Sequence, residues 1–235
     1  GDFGRGNNET FFDLIQALDQ LDGIERIRIS SIEPNLLTDE IVEFVADSNL
    51  FVPHFHIPLQ SGSNKILSDM KRRYRRELFA EKVEKINSII PDCCIGVDVI
   101  AGFPSETDSN FNNSYRFVKG LDISYLHVFT YSPRKNTEAI GLRNLVSYEE
   151  KLDRSKQLHE LSSIKQKVFY NKFIGQNKKV LFESFHNDIL NGHTENYIKV
   201  KCAGNPNLIN TIQPVKLLKS NSDFMEGNID PPGLK

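Results

Sequence analysis

Cysteine is scarce in this 235-residue chain: Cys93, Cys94 and Cys202 are the only three. An adjacent pair with a distant third gives neither a disulfide framework nor the spacing of a metal site. That leaves small buried apolar residues and a reducing cytoplasm as the expected compartment. No apolar run approaches the roughly 18 residues of a membrane span, and no signal-peptide pattern is visible, so no membrane partner is expected. The charge is nearly balanced, with a net of −2. It is also lopsided: between Lys172 and Ser220 seven lysines oppose Glu183, Asp188 and Glu195, so that stretch carries +4 and the rest −6. A basic segment of this kind suits a polyanion, or is a solvated surface.

What is there is a repeated strand–helix unit. Phe11, Leu14, Leu18 and Leu21 recur at helical spacing. After them "IERIRISSIEP", "HFHIPLQ", "CIGVDVIAGFP" and "YLHVFTYSP" read as strands. The helices between them begin with "LTDEIVEFVADSN", where Thr38 is the expected N-cap, and end with "SYEEKLDRSKQLHELSSIKQKVFYNKF". Strands about thirty residues apart with helices between imply parallel βα units. These strands lack the continuous Val/Ile/Leu run of a sheet buried on both faces. Arg26, Arg28 and Ser30 share one face, as do His54, His56 and Gln60, so the sheet is expected to enclose a ligand or to wet one face. No strand precedes the first helix, and four strands close no barrel. One or more amino-terminal strands are therefore expected to be missing, with Gly1 not a natural start.

From about residue 171 the pattern changes. "KKVLFESF", "TENYIKVKC" and "TIQPVKLLK" read as short antiparallel strands separated by the turn-rich "HNDILNGH" and "AGNPNLIN". The chain thus divides into an α/β part over 1–170, a small basic β-barrel over 171–220, and a tail over 221–235 with no core pattern.

Unusual residues cluster at the strand ends, where α/β folds build their sites. Gln60, Ser61 and Ser63 offer polar groups, although Ser63 equally suits an N-cap. Lys71, Arg72, Arg73, Arg75 and Arg76 form either an anion clamp or a solvated face. Glu33 is held extended by Pro34 and can accept ribose or ammonium hydrogen bonds. His54 and His56 are either a metal pair with no third ligand evident or satisfied core histidines. In "GVDVIAGFPSET", Asp98 is expected to point inward, Gly96 and Gly102 to admit a ligand, and Glu106 to start the next helix.

Taken together, "RIRISSIEP", "PHFHIPLQSGS", "MKRRY", "DVIAGFPSET" and "YLHVFTYSPR" resemble the radical S-adenosylmethionine methylthiotransferases in order and spacing. "GHTENYIKVK" is similar to that family's carboxyl-terminal TRAM domain, a small β-barrel that grips tRNA. "SSIEP", "HIPLQSGS", "RRY" and "LHVF" look most like the branch that adds a 2-methylthio group to threonylcarbamoyl-adenosine beside the anticodon. The resemblance implies a partial six-stranded (βα) TIM-like barrel, here its strands three to six, and S-adenosylmethionine as cofactor. It also implies two 4Fe–4S clusters, one of which cleaves S-adenosylmethionine to a radical that takes hydrogen from adenine C2. None of the three cysteines matches a cluster ligand, so the chain alone is expected to be inactive.

By resemblance, Gln60 and Ser61 lie beside S-adenosylmethionine, with Arg72 or Arg73 toward its carboxylate or the tRNA, and Glu33, Asp98 and Tyr131 complete the pocket. Lys178, Lys179, Lys199 and Lys201 are the expected RNA contacts, with the tRNA anticodon loop as partner. Ser105 and Asn136 stand where the family usually has glycine. Three other readings stay open: methylthiolation of isopentenyl-adenosine in tRNA, methylthiolation of a ribosomal-protein aspartate, and a non-catalytic RNA-binding module.

Overall fold

The computed structural model describes residues 3–4, 6–135, 137–142 and 145–229. Helix α1 (Phe11–Leu18) opens on a capping box, in which the Asp13 N–H donates to Thr10 Oγ1 and the Thr10 N–H donates to the Asp13 carboxylate. Then β1 (Ile27–Ile29), α2 (Asp39–Asp47), β2 (Phe51–Gln60), α3 (Asn64–Asp69), α4 (Arg76–Ile89), β3 (Cys94–Ala101), α5 (Asp108–Gly120) and β4 (Tyr125–Thr130) alternate along the chain. The four strands lie side by side in sequence order, all parallel. Thr38 caps α2 as expected, accepting the Ile41 N–H.

Strand alternation divides the sheet into an apolar and a polar face. Phe55, Ile57 and Leu59 of β2, with Ile95, Val97 and Val99 of β3, pack on Phe79, Val83 and Ile86 of α4 and Phe111 and Val118 of α5. Each such ring or branched chain contributes about 1.5–3 kcal/mol on burial. His54, His56 and Asp98 take the intervening positions and face the other way, where His56 lines an interior cavity.

Helix α6 (Tyr148–Asn171), capped by Ser147 and Glu150, leads into the second unit. Here β5 (Asn177–His186), β6 (Ile189–Thr194), β7 (Lys199–Ala203), β8 (Ile212–Ser220) and β9 (Met225–Ile229) form a closed barrel. Two of these strands correct the sequence reading. The turn inside "HNDILNGH" is only Asn187–Asp188, both at positive φ, and Ile189–Thr194 continues as a strand. The expected tail supplies β9, with Met225 fully buried against β7 and β8; residues 230–235 lie outside the described residues.

The barrel docks at the amino ends of the parallel strands. Arg26 donates to the carbonyls of Lys179 (2.9 Å) and His193 (3.2 Å), and Asn196 donates to the Asp92 carbonyl (3.0 Å). Lys178 pairs with Asp92 at 3.1 Å. Phe169, Tyr170 and Phe173 at the end of α6 belong to the small barrel's core, as does Cys94 of β3.

Candidate active site between the strand ends and the interior cavity

At the carboxyl ends of the strands, Arg72 Nη1 reaches Glu33 Oε1 at 3.2 Å while its Nε is buried with no partner among the described residues. Gln60 ends β2 in a left-handed conformation, φ 69°. Ser61 is fully buried, and its Oγ accepts the Ser63 N–H at 3.2 Å. Ser63 sits at the N-cap of α3 without a side-chain cap bond. Tyr131 packs edge-on against Phe103, and its hydroxyl is buried with no partner among the described residues. Beneath them the Tyr74 hydroxyl donates to the Pro58 carbonyl at 2.7 Å. Burial pushes Tyr74 up to about 12, and the charges of Arg72, Glu33 and Asp98 all act on it.

The five clustered cations separate. Lys71 pairs with Glu138, Arg72 with Glu33, and Arg75 and Arg76 with Glu77. Arg73 is exposed and lines a different groove, beside Phe12, Leu36 and Thr38. The structure thus gathers Glu33 and Arg72 and leaves Arg73 apart.

The interior face carries more than the sequence suggested. His56 Nε2 lies 2.7 Å from Asp98 Oδ1, and His127 stands edge-on to His56. The sequence reading paired His56 with His54; the structure groups it instead with Asp98 and His127, and these three offer ligand atoms within 4.8 Å of one another, a set able to hold a divalent ion. Burial, together with His56, lowers the His127 pKa. His54 is fully buried against the Tyr125 hydroxyl (3.1 Å), and burial holds it down at about 3, a neutral core histidine. Gly96 admits the Tyr125 ring rather than a ligand, since a Cβ there would lie 2.4 Å from it.

His56, Tyr125 and His127 line a cavity of about 560 Å³ to which the small barrel adds His193, Tyr197 and Lys199. Sequence reasoning missed His193 and Tyr197, and gave Lys199 only as an RNA contact. The signal was present in "GHTENYIKVK", but a hairpin's insertion into another unit leaves no periodicity to read.

Two loop residues differ from their expected roles. Glu106 does not start the helix: α5 begins at Asp108 behind the Thr107 cap. It is buried, accepts the Gly102 N–H at 2.8 Å and pairs with Arg154. Ser105 takes φ 70°, the region glycine occupies most readily, and its hydroxyl donates to Asp69 at 2.7 Å. Asn136 lies outside the described residues.

On the small barrel, Lys178 is largely enclosed and paired to Asp92 and Glu195. Lys199 pairs with Asp223 at 3.7 Å, Lys201 lies 4.0 Å over Phe224, and Lys179 is exposed.

All three cysteines are buried. Burial pushes Cys94 up to about 12 and Cys202 to about 11, and raises Cys93 well above the ordinary thiol value. Protonated thiols divided between two cores do not fit a 4Fe–4S cluster. S-adenosylmethionine does fit. Arg72 Nε and the Tyr131 hydroxyl are buried polar atoms without partners at the strand ends, where a ligand would satisfy them.

Residues 4–118 match the model of the radical SAM superfamily. The chain is 37% identical over 223 residues to the threonylcarbamoyladenosine tRNA methylthiotransferase MtaB of Bacillus subtilis, a match covering 92% of this chain and 49% of that protein. It is 36% identical over 210 residues to the tRNA-2-methylthio-N(6)-dimethylallyladenosine synthase of Protochlamydia amoebophila, covering 88% and 47%. The chain therefore spans about half the length of these relatives. Among solved structures, coproporphyrinogen III oxidase (HemN) from Escherichia coli, a radical SAM enzyme, superposes with a TM-score of 0.51 over 72% of this chain and 46% of that one. At 14% identity it establishes the shared fold alone. Among the described residues no helix is long and apolar enough to cross a membrane. Residues 4–118 thus carry the likeness to the radical SAM superfamily, and most of the chain is similar to tRNA methylthiotransferases.

Proposed function

We propose that the chain is part of an enzyme that adds a 2-methylthio group to threonylcarbamoyl-adenosine beside the tRNA anticodon. The observation that carries this reading is its alignment, over nearly its whole length, with a threonylcarbamoyladenosine tRNA methylthiotransferase. A second reading, a dimethylallyladenosine substrate, is favoured by the similarly close relative from Protochlamydia amoebophila. A third, a non-catalytic RNA-binding role for the chain by itself, follows from cysteines that suit no cluster.

Glu33, Gln60, Ser61, Arg72, Asp98 and Tyr131 would hold S-adenosylmethionine, whose chemistry is to supply a radical initiator and a methyl group. Arg72 and the Tyr131 hydroxyl would orient it through the polar atoms they leave unpaired. Phe103, packed on Tyr131, would keep water from that wall. Lys178, Lys179, Lys199 and Lys201 would meet tRNA phosphates, and each contact removed would lower the salt dependence of binding by roughly one unit of slope.

Mass spectrometry of tRNA nucleosides from a strain lacking the gene is the test. Loss of the methylthio-threonylcarbamoyl nucleoside with accumulation of its precursor supports the reading. Loss of the methylthio-dimethylallyl nucleoside instead moves the substrate to the second reading, and no change in either would demote the chain to RNA binding. In the complete protein, Arg72→Met is expected to weaken S-adenosylmethionine binding by ~10–100-fold, the size of a lost charged hydrogen bond. Calorimetry measures it, and an unchanged affinity removes Arg72 from the site.

A further inference from the structure

We infer that the interior cavity is a binding site for a carboxylate-bearing nucleoside substituent, with Arg28 as its anion-binding residue and His127 as a second donor. The inference rests on the proposed reaction, whose two candidate substrates differ in one respect that the cavity can read. A threonylcarbamoyl group carries a carboxylate and a hydroxyl, whereas a dimethylallyl group is wholly apolar.

The cavity's basic side chains are mostly paired. His56 has Asp98 at 2.7 Å, His193 has Glu183 at 2.6 Å, and Lys199 has Asp223 at 3.7 Å. Arg28 and His127 have no carboxylate or hydrogen-bond partner among the described residues, and both line the cavity. Arg28 is also placed where it can meet an anion. Its guanidinium carbon lies 4.3 Å from the centre of the Tyr197 ring, and the side chain is exposed. That planar fork matches a carboxylate in a bidentate fashion.

Tyr197 is itself held in place. It takes φ 61°, a conformation that a bulky side chain rarely adopts, stacks on His193 at 4.6 Å and packs at a tilt against His54 at 4.7 Å. Its hairpin is pinned by Asn196 to the Asp92 carbonyl. The platform under Arg28 therefore comes from the small barrel, and the cavity is complete only when both units are docked. The volume of about 560 Å³ suits a nucleoside substituent with part of its base. A dimethylallyl group there would bury Arg28 and His127 against methyl groups without replacing their water, which is unfavourable.

The test is isothermal calorimetry on this chain with three nucleosides: N6-threonylcarbamoyladenosine, its methyl ester, and N6-dimethylallyladenosine. The expected result is that the free acid binds ~10–100-fold more tightly than the ester, as for a charged hydrogen bond, and that the dimethylallyl compound binds worst. Arg28→Met should abolish the preference for acid over ester while Arg28→Lys keeps part of it. A circular dichroism melt of each variant checks that it folds. Equal affinity for acid and ester, no binding of any of the three, or a preference that survives in Arg28→Met would each overturn the inference. Failure of the proposed reaction is read separately, in the cellular tRNA nucleosides.

Discussion

Replacing Arg154 with alanine is expected to lower stability by about 3–5 kcal/mol, because it leaves the carboxylate of Glu106 buried with its counter-charge removed. The two side chains are 5% and 2% exposed. Arg154 Nη1 donates to the Glu106 carboxylate at 3.0 Å and to its carbonyl at 2.8 Å, and Nη2 donates to Asp108 at 2.7 Å. For a chain of this length the loss corresponds to roughly 6–20 °C in Tm. The pH dependence has a definite sign. Burial raises the Glu106 pKa above the ordinary carboxylate value even with Arg154 beside it. The folded state therefore holds the proton more tightly than the unfolded state. That contribution to stability is fully present below the unfolded pKa and is lost as pH rises through the folded one. Without Arg154 the Glu106 pKa rises further, so the variant's deficit should be largest near neutrality and shrink toward acid pH. An Arg154→Met, Glu106→Gln double variant should recover most of the loss, since no charge is then buried. Melts followed by circular dichroism from pH 4 to 8 decide it; a deficit under about 1 kcal/mol, or one indifferent to pH, would show that solvent reaches the pair. The consequence reaches the site, because Glu106 holds the Gly102 N–H and with it the loop that sets Phe103 against Tyr131.

The parallel units were legible because their signals are local. Phe79, Val83 and Ile86 mark one helix face, Thr38 marks a start, and the alternation through His54 to Leu59 marks a strand with two different faces. Asp98 pointing inward followed from the same alternation. What escaped depended on contacts between distant residues. β9 reads "MEGNI", with a single buried apolar side chain, and it forms because β7 and β8 offer it open edges. β6 contains Asn191 and Gly192, residues that signal a turn in sequence and here continue a ladder. Gly96 and Glu106 were correctly singled out, but for ligand and dipole roles. Their neighbours, Tyr125 and Arg154, lie 29 and 48 residues away in the chain, where no spacing rule reaches. The union of Arg28 with Tyr197 is more distant still, and only the docked barrel makes it.

That docking gives the second large effect. A Cβ on Gly192 would stand 2.1 Å from the Leu181 carbonyl oxygen and 2.9 Å from Phe182 Cα, all backbone, so β5 and β6 must move apart. Gly192→Ala is expected to cost ~3 kcal/mol, at the upper end of overpacking penalties, which shifts a local opening equilibrium by ~100-fold. The cysteines report where that opening occurs. Cys202 lies in the small barrel's core and Cys94, although part of β3, packs in the same core, whereas Cys93 belongs to the core beneath the parallel sheet. Labelling by a thiol reagent, with the modified residue located by mass spectrometry, should therefore accelerate ~100-fold at Cys94 and Cys202 together and much less at Cys93. Protection retained at Cys94 while Cys202 reacts would mean that the small barrel opens without leaving the sheet. The two units would then be joined through Arg26, Asn196 and Tyr197 more firmly than the small barrel is held to itself, and the wall they share around the cavity would outlast the barrel that supplies it.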